Sequence, residues 1–102
     1  MLGDKVSAAE AATMGMIYKA VDDTQLMETA MQTSQTLAGL PTKALGLTKK
    51  LLNQSLINDL NAQLECELAE QVNAAKSYDH NEGIKAFLEK RKPVFKGQLN
   101  NK

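Results

Sequence analysis

Few side chains in this sequence could carry a reaction. His80 is the one histidine, Cys66 the one cysteine, and Glu65, Glu67 and Glu70 form the densest group of acids. A histidine could move protons near neutral pH, a thiolate could attack an electrophile, and paired carboxylates could hold a metal or share acid–base work. None has the company its chemistry needs. His80 falls in the first turn of a helical pattern, where an imidazole is normally solvated. Cys66 lies among Leu64, Glu65, Glu67 and Leu68, with no base or cation beside it to favour the thiolate. A lone cysteine also offers neither a disulfide framework nor metal-ligand spacing. Residues two apart on a helix point to different sides, so of the three acids only Glu67 and Glu70 share a face. A solvated helix face is the simpler reading. The six glycines stand apart from one another and build no phosphate-cradling loop. From these residues alone no catalytic group, no metal and no cofactor is expected.

The charge is uneven along the chain. Lys plus Arg equal Asp plus Glu at 12 each over 102 residues, so no global field recruits nucleic acid or an anionic membrane. From Asp59 to Glu70 all charges are acidic, whereas from Lys85 to Lys102 six Lys or Arg accompany one acid, Glu89. Any anion site therefore belongs near the C-terminus. With one reduced cysteine, no basic segment followed by an apolar run at the start, and no apolar stretch near the ~20 residues of a membrane span, a cytoplasmic protein with no membrane partner is expected. At this length one domain is expected.

The elements that must position these residues read as all-α, with about four helices. Ser7 and Glu10 have capping-box spacing and open a short helix, roughly Ala8 to Met14, closed by Gly15. Residues 16 to 21, "MIYKAV", form an extended connector or a brief strand. Asp22 and Gln25 repeat the capping pattern and open a medium helix to about Ala38, with Gly39 as a left-handed end. Pro41 suits the first turn of a long third helix, about Pro41 to Lys76. Leu45, Leu52, Leu56, Leu60, Leu64, Leu68 and Val72 mark one side of it, widened by Leu51, Ile57 and Ala69. Gly46 weakens its early turns by ~1 kcal/mol and leaves room for a bend. Asp79 and Glu82 give a third capping pair, opening a last short helix, about His80 to Arg91, that Pro93 ends. Its Ile84, Phe87 and Leu88 lie together.

Three stretches resemble the enoyl-CoA hydratase/isomerase (crotonase) superfamily, in that family's order. "GDKVSAAEAATMGMIYKAV" is similar to the helix and apolar stretch that follow its catalytic core. "LAGLPTKALGLTKKLLNQ" resembles its proline-bearing loop and the long helix after it. "EGIKAFLEKRKPVF" resembles its closing helix, and the flavour is closest to the phenylacetate-degradation hydratase and epoxyphenylacetyl-CoA isomerase branch. The resemblance implies that the oxyanion amides and the acid–base carboxylates belong to a ββα core that nothing here matches. The chain then looks like a single helical C-terminal domain, residues 1–102, inactive by itself. It implies acyl-CoA as substrate rather than cofactor, and a trimer or a dimer of trimers, so that the separated chain would associate with itself. Two positions carry over. The Phe and Lys of the closing motif fall on Phe87 and Lys90, which in the family contact the adenine and phosphate end of CoA. Three apart on one helix face, a ring can line the adenine while an ammonium meets phosphate. Arg91, Lys92 and Lys96 would add to the positive field.

Two readings of a different kind compete with this. A free-standing helical self-assembly module without a ligand explains the capped helices and apolar stripe, but not the basic, aromatic-bearing end. In that reading Phe87 is a core anchor and Lys90 a solvated charge. A nucleic-acid module has only Phe87 and Phe95 to stack on bases.

Overall fold

The computed structural model describes residues 2–98. Its helices are α1 (Ala8–Thr13), α2 (Leu26–Ala38), α3 (Thr42–Gln54), α4 (Leu60–Ala75) and α5 (Tyr78–Leu88), with a 3-10 turn at Asp23–Gln25 leading into α2. No strand forms among the described residues, so the fold is all-α and residues 16–22 are a connector. The chain divides into two compact units, one through Ser34 and one from Gln35 onwards.

In the first unit the expected capping box forms. Ser7 Oγ accepts the Glu10 amide at 3.2 Å, and the Glu10 carboxylate accepts the Ser7 amide at 3.1 Å. The Ser7 amide first, and then the Ser7 hydroxyl donating to the same carboxylate at 2.9 Å, hold the Glu10 carboxyl below the usual carboxylate range. Gly15 adopts φ +80, and the Met16 amide reaches back to the Ala11 carbonyl at 2.9 Å, closing α1 as a Schellman turn. The Asp22–Gln25 pair does not cap α2. The chain tightens there into a 3-10 turn, so the Gln25 amide donates to the backbone carbonyl of Asp22 at 2.9 Å and leaves the side chain nothing to accept.

The second unit corrects the expected long helix. Residues 55–59 break it, and the two halves, α3 and α4, pack against each other as an αα-hairpin. Short polar side chains compete with the helical ladder at the break. Ser55 Oγ donates to the Leu52 carbonyl at 2.6 Å, and Asp59 caps α4 by accepting the Ala62 amide at 2.8 Å. Two ties fix the hairpin: Gln63 Nε2 donates to the Leu51 carbonyl at 3.1 Å, and Lys50 pairs with Glu70. The pairing holds the Glu70 carboxyl below the usual carboxylate range and the Lys50 ammonium above its own, each first through the hydrogen bond to the other. Gly39 ends α2 without a left-handed φ, sharing its amide between the Gln35 and Thr36 carbonyls at 3.2 Å each. Gly46 lies in an unbroken α3, and a Cβ there would meet open space.

Apolar burial is sparse. Ala86 alone among the described apolar residues is fully buried, while Leu52, Leu56, Leu60, Leu64 and Leu68 all lie more than half exposed. The stripe read in the sequence exists, but the chain itself does not cover it.

Candidate functional site

The site is the C-terminal end of α5 with residues 92–98 that follow it. Asp79 and Glu82 do not form the expected capping pair. Ser77 caps α5 instead, its hydroxyl accepting the His80 amide at 3.2 Å. The two carboxylates are buried, and each holds the returning chain. Asp79 is 3 % exposed and accepts the amides of Lys96 at 2.6 Å and Gly97 at 2.9 Å, one on each oxygen. Gly97 takes φ +65, which turns two successive amides toward one anion. A Cβ at Gly97 would also collide with Thr42 Oγ1 at the start of α3, so only glycine fits.

Glu82 makes the other tie. Its oxygens accept both Arg91 Nη groups, at 2.6 and 3.0 Å, and the Val94 amide at 2.9 Å. The Arg91 fork, and next the Val94 amide, push the Glu82 carboxyl down to about 2. Arg91 in turn is held well above its usual range by Glu82 first and Glu89 second. Beyond these ties, the Tyr78 amide donates to the Gln98 carbonyl at 3.1 Å, and Lys96 Nζ sits 4.6 Å from the centre of the Tyr78 ring.

Phe87 and Lys90 stand at the helix end that this clasp frames. Phe87 is 83 % exposed, so it does not anchor a core within this chain. Lys90 is the one non-glycine residue described with positive φ, at 53°. It occupies the left-handed position of a Schellman turn: its amide donates to the Phe87 carbonyl at 3.2 Å and the next amide, of Arg91, to the Ala86 carbonyl at 3.0 Å. A side chain there costs about 1 kcal/mol that glycine avoids. Lys90→Gly is therefore expected to stabilise the unit by about 1 kcal/mol, read as a rise in the denaturation midpoint. An unchanged or lower midpoint would show that Lys90 is not strained.

Arg91 and Lys96, read from the sequence as adding with Lys92 to the positive field, are engaged inside the chain. Among the described residues Lys90 and Lys92 form no ion pair and remain available to an anion. An open groove of about 540 Å³ is lined by Pro41, Ala44, Gln71, Ile84, Phe87 and Phe95, and neither Lys90 nor Lys92 lines it. Phe87 lines the groove, whereas Lys90 lies past the end of α5 in the turn, so the two do not share a helix face as their spacing implied.

The other candidates stay apart. His80 is exposed, and Cys66 is half-buried with Asn58 Nδ2 at 3.7 Å from its sulfur. Glu67 accepts Gln63 Nε2 at 3.2 Å, and Glu70 is engaged with Lys50 and Asn73. No group of three or more His, Cys, Asp or Glu converges on a metal position among the described residues. No described helix is long and apolar enough to cross a membrane. Sequence reasoning missed the roles of Asp79 and Glu82, because their spacing imitates a capping pair. The signal that could have found them is Pro93, after which the amides of Val94, Lys96 and Gly97 need acceptors because the chain has left the helical ladder.

Comparison with known proteins agrees with this architecture. The family model for enoyl-CoA hydratase/isomerase matches residues 1–98. The 1,2-epoxyphenylacetyl-CoA isomerase of Escherichia coli K12 is 44% identical over 98 residues, covering 96% of this chain and 37% of that protein. Among solved structures, an enoyl-CoA hydratase subunit I from Geobacillus kaustophilus superposes with TM-score 0.86 at 35% identity, over 94% of this chain and 37% of that one. An enoyl-CoA hydratase from Polaromonas sp. JS666 gives 0.84 at 30% identity, over 92% and 37%. The chain belongs to the enoyl-CoA hydratase/isomerase family. It spans about 37% of the length of the relatives it matches.

Proposed function

We propose that this chain is the C-terminal helical domain of a cytoplasmic acyl-CoA enzyme, which completes the adenine-and-phosphate end of a CoA site and supplies contacts between copies. The observation that carries this reading is the α5 end, where exposed Phe87 is followed by Lys90 in a left-handed turn. Strain at a non-glycine residue persists where the surrounding structure enforces it, and such residues cluster at functional sites. Acid–base chemistry and the oxyanion donors belong to the remainder of the family fold. Similarity to an epoxyphenylacetyl-CoA isomerase supports an enoyl-type or aryl-acyl thioester as substrate, in phenylacetate or fatty-acid degradation. The uncovered leucines of α3 and α4 support a role in assembly, as a trimer or hexamer of the whole protein.

The division of labour is tested by assaying the 102-residue chain with crotonyl-CoA, following loss of the conjugated thioester absorbance. No hydration above the uncatalysed rate is expected. Turnover that scales with chain concentration would place the acid–base groups in this chain and sink the reading.

A further inference from the structure

We propose that Glu82 is a positioning residue for Lys90, clamping Arg91 and the Val94 amide so that the turn between them stays left-handed; this rests on the reading of Phe87 and Lys90 as a CoA contact. Lys90 is followed at once by Arg91, whose guanidinium is fixed on both Nη atoms by Glu82 at 2.6 and 3.0 Å and on Nε by Glu89 at 2.5 Å. Three residues further on, the Val94 amide returns to the same Glu82 carboxylate at 2.9 Å. Lys90 thus sits where the backbone leaves a helix under two ties to one buried acid. A lysine in open solution would relax from φ 53° to the right-handed region, which would re-aim its side chain. Without the clamp Arg91 keeps only Glu89 on Nε and the Lys92 carbonyl, both within two residues of it, and loses its tie to the body of α5 that holds it where its amide reaches the Ala86 carbonyl. The clamp also neutralises Arg91. The anion-binding task then falls to Lys90 and Lys92, with Glu82 acting on Lys90 through the backbone.

The test has a readout that needs no ligand. Glu82→Gln keeps the shape and one acceptor for the Val94 amide but loses the charged fork to Arg91. Amide exchange at Lys90 and Arg91 is expected to rise about tenfold, the size of one net hydrogen bond, with Ile84 to Leu88 unchanged. Arg91→Lys, which keeps the charge and loses the fork, should act in the same direction if Glu82→Gln disturbs folding more widely. CoA affinity should fall in step, and Glu82→Gln should add nothing once Lys90→Ala is present. Unchanged exchange at Lys90 and Arg91 in both variants overturns the proposal. So does an equal loss of CoA affinity from Glu82→Gln with or without the Lys90 side chain. If the turn loosens but Lys90→Ala leaves CoA affinity as it was, Glu82 still sets the turn and it is the CoA assignment that fails.

Discussion

Asp79→Asn is expected to detach residues 96–98 from α5, with Val94 still tied to Glu82, and to cost about 3 kcal/mol, nearly as much as Asp79→Ala, because charge-assisted hydrogen bonds contribute roughly 1.5–3 kcal/mol each. The carboxylate works only as a double acceptor: one oxygen takes the Lys96 amide and the other the Gly97 amide. Asparagine replaces one oxygen with an NH2 group that would face a backbone N–H, donor against donor, at a side chain 3 % exposed. Near-isosteric shape therefore rescues little. The measurement is amide exchange at Lys96 and Gly97, with the Tyr78 amide as a second reporter because it donates to the Gln98 carbonyl. Protection that survives in Asp79→Asn would show that the segment is held by packing of Phe95 and Thr42 rather than by the anion.

The second large effect concerns size in solution. Light scattering of the 102-residue chain should give a mass of at least two copies of 11.1 kDa. Leu60, Leu64 and Leu68 recur every four residues on one face of α4, with exposures of 73, 53 and 66 %. Covering a leucine fully is worth about 1.5–3 kcal/mol, and monomers rarely leave a contiguous row of such side chains open. In the whole family protein the remainder of the fold or a neighbouring subunit would cover that row; in this chain another copy is the available partner. Replacing the three leucines with glutamine should return the mass to one copy. A compact monomer before any replacement would mean the faces tolerate water, and it would remove the assembly role.

Much of this architecture was legible in the residues, and the failures have definite causes. The Ser7–Glu10 box and the Gly15 turn were readable because both depend on neighbours within one helical turn. The same pattern misled at Asp22 and Asp79, since an acid three residues before an acceptor-seeking partner does not reveal where its carboxylate goes. Asp79 is claimed by amides 17 and 18 residues away. The long-helix expectation failed because leucines at 52, 56, 60 and 64 keep their four-residue spacing across the break at 55–59. Periodicity reports faces, not continuity; the breaking signal lay in Ser55, Asn58 and Asp59. Phe87 and Lys90 were readable as a motif, but the left-handed backbone at Lys90 was not, because nothing local requires it of a lysine.

The most direct test of the CoA assignment is an NMR titration of the full chain with CoA and, separately, with dephospho-CoA, following the Phe87 and Lys90 signals. The expected result is tighter binding of CoA by about tenfold, one charge-assisted contact, with the preference abolished in Lys90→Ala and the overall affinity reduced in Phe87→Ala. Equal response to both ligands, or shifts confined to residues away from the α5 end, would contradict it.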